Sequence, residues 1–171
     1  MNFESKAIQE AISAARKLAD HLKTQESDRV VFAESCTAGL VAALLGQSPG
    51  ISNFLCGSAV TYRESVKQKW LGVSAETLQL HTAESLETTN EMAIGVLNST
   101  AEANFSAAVT GHLGPEAPEE IDGVIFVAVA KRISNAVEIV AGKRFKLESE
   151  SRIDRQFESA KCVFETLRSS L

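Results

Sequence analysis

Near the start of the chain, apolar residues recur at three- and four-residue steps. Phe3, Ala7, Ile8, Ala11, Ile12, Ala15, Leu18, Ala19 and Leu22 form one stripe, which predicts a helix over residues 3–23. The period then changes. Val30, Val31 and Phe32 are consecutive, β-rich and bounded by charged residues, the pattern of a short buried strand. Leu40, Val41, Ala43, Leu44 and Leu45 begin a helix that Ser48, Pro49 and Gly50 stop.

Further along, Phe54–Tyr62 reads as a second strand and residues 63–71 as a short helix carrying Lys67 and Trp70. Ser74, with Thr77 three residues on instead of an acid, predicts a simple N-cap. Glu84–Ser99 is predicted as a helix with Leu86, Met92, Ala93, Val96 and Leu97 inward. Phe105–Val109 predicts a third strand that gives way to a loop at Thr110–Pro115, where glycine and proline interrupt the pattern. Val124–Ala130 and Ala136–Val140 flank Lys131–Asn135 as a β-hairpin. Arg152–Leu167 closes the chain as a helix with Ile153, Phe157, Ala160, Val163, Phe164 and Leu167 inward. Helices between apolar strands predict a single three-layer α/β/α domain over residues 1–171, with a mixed, mostly parallel sheet.

Composition narrows the function classes. A chain of 171 residues is long enough to bury roughly 70% of its unfolded surface without a disulfide or structural metal. Its net charge of −5 with 23% charged residues argues against nonspecific nucleic-acid binding, which needs a concentrated positive face. Residues 1–18 lack the basic, apolar and small-residue succession of a secretion signal, and no apolar run reaches the roughly 18–20 residues of a membrane span. The expectation is a cytoplasmic protein with no membrane partner. Cys36, Cys56 and Cys162 are odd in number, and His21, His81 and His112 are far apart. They form neither a disulfide framework nor a zinc signature, so no metal is expected.

The most chemically loaded stretch is Arg29–Gly39, RVVFAESCTAG. A strand that delivers Ser35, Cys36 and Thr37 to a helix start gathers two hydroxyls, a thiol and unpaired backbone N–H groups, an arrangement suited to a nucleophile or a bound anion. Sites in α/β sheets collect at the carboxyl ends of strands, where Glu34–Gly39, Tyr62–Lys67 and Thr110–Pro115 all fall. Ser35, Tyr62, Lys67 and Thr110 would suffice for a serine hydrolase using lysine or tyrosine as base. Lys67 would have to be desolvated: at its usual pKa only about one lysine in a thousand is neutral near pH 7.4, and lowering that pKa by about three units costs on the order of 4 kcal/mol. Val66, Trp70 and Leu71 offer an apolar wall for it. Each residue also has a plainer reading: Ser35 as a helix cap worth about 1 kcal/mol, Cys36 as buried filler, Tyr62 as a core-edge aromatic and Lys67 as a solvated helix lysine. His112 is a loop histidine, solvated or functional. Arg152 and Arg155, a turn apart, would grip a phosphate or form surface salt bridges.

In order along the chain, AESCTAG (33–39) resembles the AESCTGG motif of the C-terminal domain family of competence/damage-inducible CinA proteins, and VTYRESVKQKWLGVSAETL (60–78) resembles its VTYSNEAK and LGVSAETL segments. HTAES with EMAIG (81–95) is similar to HGAVS and MAxG, AVTGHLGP (108–115) to TGIAGP, and Arg152 and Arg155 to the arginines of GDRxxVR. The resemblance implies a three-layer α/β fold, usually oligomeric, with a homodimer as first guess. It also implies hydrolysis of the carboxamide of nicotinamide mononucleotide to nicotinic acid mononucleotide and ammonia, with no metal or organic cofactor. By position, Ser35 would be the nucleophile, with Lys67 and Tyr62 transferring protons. Glu34, Cys36, Thr37, Gly39, Thr110, Gly111, Arg152 and Arg155 would bind substrate, and the N–H groups of residues 36–39 would stabilise the oxyanion.

The chain departs from the family pattern around these groups. After Pro115 it carries Glu116, Pro118, Glu119 and Glu120 where the family has glycines, an acidic run expected to oppose a phosphate. Arg63 and Glu64 replace serine and asparagine, Ala38 a glycine, and Thr82 and Glu84 the glycine and valine of HGAVS. Two readings fit: an amidase with a shifted substrate, and a noncatalytic relative that binds a nucleotide or a protein partner.

Overall fold

A computed structural model of the chain describes residues 5–115, 117–134 and 136–171. The predicted stripe becomes α1, Lys6–Gln25, capped by Ser5, whose side chain accepts from the Ile8 amide; Phe3 lies outside the described residues. Strand β1, Val30–Glu34, is buried along its whole length, two residues longer than its apolar run. It leads through a turn into α2, Leu40–Leu45, and a 3-10 turn at Ile51–Asn53. Strand β2, Leu55–Val60, is followed by α3, Glu64–Leu71, and α4, Ala75–His81. As the sequence predicts, Ser74 caps α4 by accepting from the Thr77 amide.

Helix α5, Leu86–Asn98, precedes β3, Phe105–Gly111. The long strands β4, Val124–Ile133, and β5, Ala136–Lys146, come next, before α6, Arg152–Arg168. The sheet order is β2-β1-β3-β4-β5. Strands β2, β1 and β3 are parallel; β4 and β5 run antiparallel to their neighbours. The sheet is therefore mixed, with its parallel part in the three strands that end at the candidate loops.

Alternation along β1 divides the core into two layers. Val30 and Phe32 join α1, α2 and α6 on one face, while Val31 and Ala33 join α3, α4 and α5 on the other. Fully burying a side chain such as Phe32, Leu18 or Leu97 stabilises the fold by roughly 1.5–3 kcal/mol each. Two features of the helical patterning differ from expectation. Thr88 and Thr89 are buried inside α5, their hydroxyls returned to the Thr82 and Ser85 carbonyls. Ile153, read as inward, is 46% exposed, because the first turn of α6 projects beyond the core that Phe157 begins.

Two strand boundaries also shift. β3 runs on through Thr110 and Gly111, which pair with Phe126 and Ile125 of β4. β4 extends through Lys131–Ile133, residues expected in the hairpin loop, and these pair with the start of β5. The expected loop residue Asn135 lies outside the described residues.

Candidate active site

The carboxyl ends of β1, β2 and β3 open on the same side of the sheet, and a cleft of about 190 Å³ lies there. Ser35, Cys36, Tyr62, Glu84, Gly111, His112 and Arg152 contribute to its walls. Ser35 follows β1 directly, and its amide donates to the Val109 carbonyl of β3 at 3.1 Å. It does not cap α2. That helix starts from Gly39, four residues later, so the capping reading of Ser35 gives way to a hydroxyl held at a strand end beside a cleft.

Lys67 approaches from the opposite layer. It projects inward from α3 with Leu71, one turn later, and is only 1% exposed. Its Nζ lies 2.8 Å from Ser35 Oγ and 2.9 Å from the Thr61 carbonyl, both contacts buried. A buried ammonium with two acceptors for three protons is poorly served, whereas a neutral amine can donate to Thr61 and turn its lone pair to Ser35. Desolvation accordingly lowers the Lys67 pKa from 10.5, with the nearby Glu84 carboxylate the strongest opposing charge. The expected apolar wall is only partly as read: Leu71 is buried, but Trp70 is 57% exposed.

Glu34, expected at the substrate, is turned inward. Its carboxylate is fully buried and accepts from the Thr37 hydroxyl at 2.8 Å, the amides of Gly39, Val41 and Ala42 at 2.9–3.0 Å, and the Ser58 hydroxyl at 2.9 Å. It supplies from the preceding strand the cap that Gly39 cannot give α2, and the helix dipole favours a negative charge there. The same bonds occupy two expected binding groups, the Thr37 hydroxyl and the Gly39 amide, and leave the Thr37 amide free of them. The Ala38 amide is spent on the Ser35 carbonyl. Of the four expected oxyanion donors, only the Cys36 and Thr37 amides make no hydrogen bond among the described residues.

Cys36 lines the cleft as a protonated thiol, since burial pushes its pKa up to about 12. Thr110 is fully buried and donates to the Ala83 carbonyl at 3.0 Å, so β3 presents Gly111 to the cleft instead. Tyr62 is 57% exposed, and its hydroxyl accepts from Arg152 at 2.8 Å; it has no hydrogen bond to Ser35 or Lys67, unlike the proton-transfer position expected for it.

The two arginines part company. Arg155 is bidentate to Asp122 at 2.8 Å and donates to the Ser149 carbonyl, so its guanidinium is engaged away from the cleft wall. Arg152 reaches the cleft, where it donates to the Gly114 carbonyl and to Tyr62. Glu119 and Glu120 are exposed and absent from the cleft wall, which Pro115 and Ala117 form, so these two acids do not oppose an anion there. Glu116 lies outside the described residues. Sequence reasoning missed Glu84 as a cleft residue: it lies beside Ser35 and Cys36 in the wall, with His112 Nε2 3.6 Å from its Oε2. The signal was present in the departure from HGAVS, which put a carboxylate at an otherwise apolar position.

Among the described residues, no group of three or more His, Cys, Asp or Glu side chains could hold a metal ion, and no helix is long and apolar enough to cross a membrane.

The CinA C-terminal domain family matches residues 11–171. A CinA-like protein of Myxococcus xanthus is 41% identical over 103 residues, covering 59% of this chain and 24% of that protein. A putative competence-damage inducible protein of Acetivibrio thermocellus is 36% identical over 140 residues, covering 80% and 32%. The chain thus spans about a quarter to a third of the length of these curated relatives. Among solved structures, the competence/damage inducible protein CihA of Agrobacterium tumefaciens superposes with a TM-score of 0.85 at 29% identity, covering 94% of this chain and 95% of that one. The competence damage-inducible protein A of Klebsiella pneumoniae gives 0.82 at 27% identity, covering 93% and 95%.

Proposed function

The chain belongs to the CinA C-terminal domain family, and from that premise we propose that it is a serine amidohydrolase of the nicotinamide-nucleotide amidase type, acting in the cytoplasm as a homo-oligomer. The observation that carries this reading is the buried contact between Lys67 Nζ and Ser35 Oγ.

In the proposed reaction, neutral Lys67 takes the proton of Ser35 Oγ as that oxygen attacks the carboxamide carbon of nicotinamide mononucleotide. The Cys36 and Thr37 amides receive the negative charge that develops on the carbonyl oxygen. Lys67 then returns its proton to the amide nitrogen, which leaves as ammonia while Ser35 holds the acyl group as an ester. Water, activated by the same amine, cleaves the ester to give nicotinic acid mononucleotide and restores Ser35. Thr61 fixes the amine through its carbonyl, and Arg152 at the exposed rim is the cation available to the phosphate. No step calls on Tyr62 for a proton; its part is to hold Arg152.

The test is ammonia release from nicotinamide mononucleotide across about pH 6–9. Turnover that disappears in Ser35→Ala and Lys67→Ala variants of unchanged circular dichroism supports the reading. A folded wild-type preparation that releases none removes it for this substrate.

A further inference from the structure

The proposed reaction leaves two polar side chains of the cleft unused, Glu84 and His112. Glu84 precedes α5 and His112 follows β3; their side chains meet at 3.6 Å and are 30% and 31% exposed. Both are open to a ligand yet only partly screened by solvent. The other exposed charge of the cleft is Arg152, which the Gly114 carbonyl and Tyr62 hydroxyl hold in place. The cleft therefore offers a ligand the Glu84 carboxylate on one wall and the Arg152 guanidinium on another. Glu84 and Tyr62 also border an adjoining open pocket of about 560 Å³, so a ligand extending out of the Ser35 compartment on that side passes the Glu84 carboxylate.

We propose that Glu84 is the specificity residue of this cleft, and that its carboxylate recognises a positive charge on the ring or chain bearing the scissile carboxamide. This deepens the amidase reading and rests on it: the pyridinium ring of nicotinamide mononucleotide is such a cation, and its phosphate suits Arg152. At a given separation, a carboxylate in a half-shielded cleft attracts a cation several times more strongly than in bulk water. The same charge acts on the product. Hydrolysis adds water, releases ammonia and turns a neutral carboxamide into a carboxylate, which Glu84 repels. One residue thus favours substrate entry and product departure.

The experiment is calorimetric titration with two small carboxamides that differ in ring charge, the 1-methylnicotinamide cation and neutral nicotinamide. It compares the wild type, Glu84→Gln, and Glu119→Gln as the same charge change outside the cleft, all checked for unchanged circular dichroism. The wild type and Glu119→Gln are expected to bind the cation at least about ten-fold more tightly than the neutral compound, with Glu84→Gln binding the two alike. Equal affinity in the wild type, a preference that survives in Glu84→Gln, or binding of neither compound overturns the proposal. Since binding is read and not turnover, a chain that prefers the cation through Glu84 but releases no ammonia loses the amidase reading alone. Turnover without charge preference loses the Glu84 assignment alone.

Discussion

Lys67 Nζ and Ser35 Oγ, 32 residues apart in sequence, lie 2.8 Å from each other in the interior of the site. The pair costs stability, because burial disfavours the ammonium form that Lys67 would hold in water. Replacing it by the apolar Lys67→Met should leave the melting temperature unchanged or raise it, while lowering kcat by about 10²–10⁴-fold, the usual contribution of a positioned base. The pH dependence follows from the same burial. The unfolded chain keeps the Lys67 proton up to its ordinary 10.5, and the folded chain releases it at lower pH. Between those values the unfolded state binds more protons, so stability should rise with pH there, and kcat should rise along a limb whose midpoint lies below 10.5. Denaturant unfolding and initial rates across that range check both, and a rate limb that persists in Lys67→Met would assign the base elsewhere.

Glu34→Gln separates a scaffold role from a binding role. Whichever way the amide is turned, at least one of the Gly39, Val41 or Ala42 amides faces an NH₂ donor instead of an oxygen. The expected cost is about 2–3 kcal/mol, a fall of roughly 5–10 °C in melting temperature. A variant of wild-type stability with a raised KM would instead return Glu34 to the substrate.

Helix α3, and with it Lys67, is seated by a glycine on α5. A Cβ at Gly95 would lie 1.8 Å from the Leu71 carbonyl oxygen and 2.7 Å from its carbon, both backbone atoms unable to yield as a side-chain end would. Gly95→Ala should destabilise by more than about 3 kcal/mol in chemical denaturation. Any folded fraction should also turn over more slowly, because Lys67 is one turn from the displaced Leu71.

Ala38 has φ 53 in the turn between Ser35 and α2, a left-handed conformation that costs an alanine about 1–2 kcal/mol. Ala38→Gly removes that strain and gives back part of the gain as unfolded-chain entropy. The expected net is about 0.5–1 kcal/mol of added stability, a rise of roughly 2–3 °C by differential scanning calorimetry.

Element types were largely readable because burial follows apolar period, and boundaries failed where another interaction replaced it. Lys131 and Arg132 looked like the end of β4. Instead Lys131 lies over the Phe105 ring at 4.9 Å, and Arg132 donates to the carbonyls of Leu97, Thr100 and Ala103 at the end of α5 and beyond, so both charges are accommodated without ending the strand. Gly111 looked like a strand breaker. It is the residue that lets β3 approach β4, since a Cβ there would lie 2.4 Å from the Val124 carbonyl. At the site, residue types announced Ser35 and Lys67, but types alone could not divide polar groups facing the cleft from those consumed beneath it. Glu34, Thr37 and Gly39 satisfy one another inside the turn. Whether Arg152 or Arg155 was free depended on Asp122, a residue of a distant loop.

The buried Glu34 carboxylate has a directional consequence. A helix start is ordinarily open to an outside anion, but here the chain moors its own carboxylate in that berth. An anionic ligand turned toward α2 would find the first amides of that helix already taken by Glu34; turned about, it would meet Arg152. Under the proposed amidase function the turn would act as a polarity key, admitting an anionic molecule head first, with its uncharged carboxamide leading toward Ser35 and its phosphate trailing at the rim.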